Sequence, residues 1–214
     1  MVSHGQNKRM KTKLERTVRG LILAPLAPLA LLLGGWWLAY FLLPEAWIFL
    51  GALFGLLLGL LVDIPLLKKW IGGVDAPGTI FWVVAFLFYS VGLFGFFMGV
   101  PIFNLALALP AGFILGGRLA AQQADEFRLR VASRRTSVFT TIVLAFICAA
   151  SAAIALADPY TEANLQGMLA LPFDVTRGMV IGLIVIGGAS LLLFNWWLTT
   201  ASVRFTYRFL KFQA

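Results

Sequence analysis

The side chains able to do chemistry are few and scattered. One histidine, His4, and one cysteine, Cys148, occur in 214 residues. His4 lies in a polar N-terminal stretch and Cys148 in the apolar run 145–150. A bis-histidine haem, a His-ligated zinc site or a Ser/His relay is therefore out of reach inside the apolar part of the chain. A lone cysteine cannot form a disulfide within the chain. No catalytic residue, metal ligand or cofactor is expected, and the chain is not expected to be an enzyme. What remains are polar groups set in apolar sequence, chiefly Asp63, Asn104 and Asn195. A carboxylate in hydrocarbon is costly unless hydrated or paired, and an amide there needs a bonding partner. These residues are the candidates for a substrate or ion pathway. Each also has a plainer use. Asp63 can neutralise Lys68 or Lys69 near a membrane surface, and the two amides can bond across helices. Tyr89, Ser90, Thr140, Thr141 and Ser151 can bond backbone or one another and single out nothing.

These groups sit on segments with their own signals. Gly51, Gly55 and Gly59 recur every four residues, which puts them on one face of a helix otherwise made of Leu, Phe and Ala. A missing side chain lets a neighbouring backbone approach, so this face is expected to pack a helix, from the same chain or from a second copy. Pro25, Pro28 and Pro110 fall inside apolar runs, where each removes a backbone bond and can kink its helix. Transporters use such broken helices for binding and movement. Glu45 and Asp174 suit helix N-termini. Pro44 followed by Gly51, Gly55, Gly59 and Asp63 resembles the glycine-rich second helix of the substrate-binding membrane subunits of energy-coupling-factor vitamin transporters. That resemblance covers the stretch 44–63 alone.

The elements that must position these residues are membrane spans. The chain is 61% hydrophobic and 12% charged, about half the charged fraction of a soluble domain. Its mean hydropathy is +0.92, and its apolar residues come in runs, as lipid requires. Six spans are predicted, making an all-α, polytopic six-transmembrane-helix bundle. The first runs from about Gly20 to Leu43 and the second from Ala46 to about Leu67. The uncharged stretch Thr79 to Gly117 is long enough for two, split at Gly99-Val100-Pro101, because glycine suits a helix end and proline a first turn. The fifth covers about Ser137 to Ala157, and the sixth starts near Asp174 and ends about Val203. Arg118 to Arg135 reads as helix, with pairs Glu126–Arg130 and Asp125–Arg128, continuing the fourth span as one helix. Tyr160 to Phe173 reads as a short interfacial helix or loop.

Charge then orients the map. Sixteen of the seventeen Lys and Arg fall in the N-terminal tail, the second and fourth connections and the C-terminal tail; Arg177 is the exception. An even number of spans puts those four segments on one side, which the positive-inside rule makes the cytoplasm. Both termini are expected there, in the plasma (inner) membrane. The domain plan is a basic cytoplasmic tail over 1–19, a membrane domain over 20–203 and a basic cytoplasmic tail over 204–214. In the first tail Met10, Leu14 and Val18 recur among Lys8, Arg9, Lys11, Lys13, Arg16 and Arg19, a pattern for a short amphipathic helix on an anionic lipid surface. The net charge of +8 lies between apolar runs, unlike a nucleic-acid-binding fold. The expected partners are the bilayer, with anionic lipids at its cytoplasmic face, and a second copy or another membrane protein. No nucleic acid is expected. Two functions fit: a small-solute permease or membrane component of a transporter, and a structural or assembly subunit that docks proteins through its helix faces and basic loops.

Overall fold

The computed structural model describes residues 17–18, 20–71, 78–97 and 99–211. The basic positions Lys8, Arg9, Lys11, Lys13, Arg16 and Arg19 lie outside the described residues. The fold is all-helical, with no strand among the described residues. The helices are α1 Leu26–Leu42, α2 Ile48–Ile71, α3 Thr79–Phe96, α4 Ala108–Ala121, α5 Glu126–Ala157, α6 Thr161–Leu169 and α7 Arg177–Lys211, with 3-10 turns at Glu45–Trp47 and Pro101–Leu107. Six helical stretches are long and apolar enough to cross a membrane: Gly20–Leu42, Glu45–Pro65, Thr79–Phe96, Pro101–Ala121, Glu126–Ala157 and Arg177–Lys211. They match the six predicted from the sequence. The long uncharged stretch divides where glycine and proline meet: Gly99 closes α3 with φ +83°, and Pro101 opens the next helical turn.

Contacts along the chain divide it into two compact units, one ending at Ala85 and the other beginning at Phe86. The first is built on a hairpin of α1 and α2. Here the glycine face works as close backbone packing. A β-carbon on Gly55 would collide with the Leu31 carbonyl, and one on Gly59 would lie 2.5 Å from Pro28 Cα. Gly51 meets Ala39 and Gly35, so α1 adds a glycine of its own to the seam. Numbers rise along one helix as they fall along the other, as antiparallel neighbours must.

The second unit joins α4, α5 and α7. Gly112 and Gly116 repeat the same device, closed by Ser202, Val203, Thr206 and Tyr207 of α7. Below them Leu119, Ala120, Ala124, Leu129, Val203, Tyr207 and Leu210 form a buried apolar cluster. Phe97 and Phe103 stack at 3.8 Å across the α3–α4 connection.

Two expectations are corrected. Span four does not run on into Arg118–Arg135 as one helix. α4 stops at Ala121, and Gln123 takes a left-handed φ of 51°. Ala124 N–H then donates to Leu119 C=O at 3.0 Å and Gln123 N–H to Ala120 C=O at 3.1 Å, a closing pair that satisfies the last carbonyls. Asp125 starts α5 afresh by accepting from the Arg128 backbone N–H at 2.8 Å. Its carboxylate thus serves as a cap, and it is span five that carries the extra turns. Asp174 is likewise not the cap of the last helix. Thr176 takes that place, its hydroxyl accepting from Met179 N–H and its carbonyl from Val180 N–H, and α7 continues to Lys211.

The seam between α1 and α2 predicts that Gly55→Ala already lowers thermal stability in detergent, and Gly55→Leu more so. The loss should fall within the roughly 1–3 kcal/mol usual for overpacking. An alanine variant that melts with the wild type would mean that the two backbones do not meet there.

Candidate functional site

Asp63 continues the row of Gly51, Gly55 and Gly59 by one more turn. It is 8% exposed, on the face of α2 that meets α1. Gly55 meets Leu31 and Gly59 meets Pro28 and Ala27. The same register carries Asp63 to the level of Ala24 and Pro25, a turn that separates α1 from the helical residues 20–23 before it. Proline has no N–H, so Pro25 and Pro28 leave the carbonyls of Leu21 and Ala24 without their i+4 donors. Pro65, inside α2, does the same for the Leu61 carbonyl. These prolines all fall within a turn or so of the level that Asp63 occupies.

Asn104 and Asn195 belong to the second unit and serve separate contacts. Asn104 lies on the 3-10 turn after Pro101, 5% exposed. Its Nδ2 donates to the Ser90 carbonyl of α3 at 2.9 Å, and its Oδ1 is buried without a partner. Asn195 sits midway along α7 and is 2% exposed. Its Nδ2 donates to Thr140 Oγ1 at 3.3 Å and to Thr141 Oγ1 at 3.2 Å on α5. Thr140 in turn meets Thr199 at 3.1 Å, and one turn further Ser137 meets Thr200 at 2.9 Å. These side chains make a polar seam between two apolar helices. Sequence reading named Thr140 and Thr141 and gave them no role. The signal was available in Thr199-Thr200, which follows Asn195 by one turn. The Gly112–Gly116 spacing was also passed over.

At the far end of this unit Arg177, the one cation outside the basic segments, donates from Nη1 to Glu162 Oε1 at 3.0 Å and from Nη2 to the Leu156 carbonyl. A bond from its own backbone amide, together with Arg177, holds the Glu162 carboxyl below the usual glutamate range. Thr161 Oγ1 donates to the Ala155 carbonyl at 2.7 Å and ties α6 back to α5. Among the described residues no three of His, Cys, Asp and Glu come together as metal ligands would.

Set beside known proteins, the chain matches no family model, no curated protein and no solved structure. The resemblance of 44–63 to the vitamin-transporter helix is thus a likeness of one helix.

The seam yields a direct expectation. Asn195→Val should cost about 0.6–1.7 kcal/mol of stability, from the average to the upper end for interhelical bonds in membranes. Adding Thr140→Val should cost less than the sum of the two single changes, since each change removes the same bond. Strict additivity in detergent melting would mean that the two side chains do not interact.

Proposed function

We propose that this is a multi-pass protein of the plasma (inner) membrane, with both termini in the cytoplasm. On this reading it acts without reaction chemistry as a small-solute permease or the membrane component of a transporter. Six apolar helices are compatible with an integral membrane protein, and the distribution of Lys and Arg supports the orientation. The observation that carries the transport reading is Asp63. A carboxylate buried in an apolar span needs a purpose or a partner. The stretch where α1 begins, level with it by register, contains prolines that leave carbonyls without their usual donors, and a carbonyl cannot donate to a carboxylate. A proton or a small cation between carboxylate and carbonyls satisfies both.

A second reading, the structural or assembly subunit, is favoured by the α5–α7 seam. There the polar groups of the two apolar helices bond one another.

Asp63→Asn separates the two readings. It keeps the side chain's size and removes the charge. In proteoliposomes, a transport role predicts a folded variant that has lost proton or sodium flux, and a hydrophobic carbodiimide should modify Asp63 in the wild type. Unchanged stability, flux and growth for both Asp63→Asn and Asp63→Leu would leave the assembly reading standing. Orientation has its own test. Reporter fusions after residues 70, 130 and 214 should report cytoplasm, and fusions near 45 and 165 the outside. A cytoplasmic signal near 165 contradicts the topology.

A further inference from the structure

A cleft opens at the end of the second unit where α5 begins and α7 ends. Glu126, Leu129 and Arg130 of α5 form one wall, and Arg204 and Arg208 of α7 form the other, around about 190 Å³. Arg204 and Arg208 are one helical turn apart, so both guanidinium groups edge the same space. They also edge a second hollow of about 340 Å³, lined with Ala201, Phe205 and Phe209. The two phenylalanine rings lie nearly parallel, 6.0 Å apart at 13°. They are 71% and 41% exposed. Polar and apolar hollows therefore share one wall of arginine.

The frame that holds this wall is rigid. Tyr207, between the two arginines, is buried, and its hydroxyl donates to the Ala124 carbonyl at 2.5 Å. Lys211 Nζ donates to the same hydroxyl at 2.7 Å. These bonds pin the last turns of α7 to the α4–α5 connection, so Arg204 and Arg208 start from fixed positions.

We propose that this cleft binds an anionic phospholipid of the surrounding leaflet. Its phosphate sits among Arg130, Arg204 and Arg208, and the first carbons of an acyl chain run along Phe205 and Phe209. Three guanidinium groups face one carboxylate, Glu126, so the polar hollow carries excess positive charge. A guanidinium presents paired N–H donors that match phosphate oxygens. The apolar hollow beside it suits a molecule whose phosphate carries a hydrocarbon chain, which a free phosphate lacks. The site uses none of the residues of the transport reading and does not depend on it.

The test is lipid titration of the full-length protein in a neutral detergent, read by thermal unfolding and by native mass spectrometry. Phosphatidylglycerol should raise the melting temperature and remain bound. Phosphatidylcholine with the same chains should bind about tenfold more weakly or worse, a gap of roughly 1.4 kcal/mol. Inorganic phosphate should give no comparable shift. Arg204→Gln with Arg208→Gln should remove most of the phosphatidylglycerol response. Should that double variant fail to survive extraction, Arg130→Gln on the facing helix is read by the same titration and should weaken the response. Equal responses to the two lipids, or an unaltered response in the arginine variants, overturn the proposal. A response to inorganic phosphate as large as that to lipid overturns it in favour of a soluble phosphate ligand.

Discussion

A peptide group in hydrocarbon has no water to bond, so each spanning segment must complete its own backbone hydrogen bonds before it packs. Helices do so, and the remaining freedom lies in how closely two of them can come. In this chain that distance is set by glycine. Gly35, Gly51, Gly55 and Gly59 bring α1 and α2 into backbone contact, and Gly112 and Gly116 bring α4 against α7. Leucine and phenylalanine on the outer faces are widely exposed, as suits helices whose solvent is lipid. The hydrophobic effect does not hold such helices to each other. Close fit and interhelical bonds do.

The same requirement explains the unequal standing of the polar residues. Asn195, Thr140, Thr199, Ser137 and Thr200 supply donors and acceptors to each other, and the seam they form binds α5 to α7. That arrangement closes on itself, with each donor meeting an acceptor from the facing helix. Asp63 stands, by register, level with a stretch where Pro25 and Pro28 offer no backbone N–H. Glu162 and Arg177, at the far end, neutralise one another at the junction of α6 and α7.

The spans were legible because each depends on length and composition alone, and Gly99 and Pro101 marked the one junction without a charge. The glycine face of α2 was equally plain, though its partner was not: nothing in Gly35 or Leu31 names the opposing residue. The break at Gln122–Asp125 escaped detection because it contains neither glycine nor proline. A glutamine in the left-handed region and an aspartate cap made it, and the Tyr207 hydroxyl on Ala124 braces it from a position 83 residues along the chain. Thr176 displaced Asp174 as a cap for a similarly local reason. The arginine cleft was hidden by averaging. Arg130, Arg204 and Arg208 were counted as part of an inner positive charge, and only the pairing of α5 with α7 brings them to one opening.

Helices α5 and α7 contain 32 and 35 residues. At about 1.5 Å per residue they measure roughly 48 and 52 Å, against about 30 Å of hydrocarbon. The two are cross-linked by hydroxyl bonds near mid-length and braced at Tyr207 towards the end of α7. Arg204 and Arg208 stand about 14 and 20 Å along the axis from Asn195, close to or beyond half the thickness of the hydrocarbon, so the extra turns carry charge to a depth where water and headgroups can solvate it.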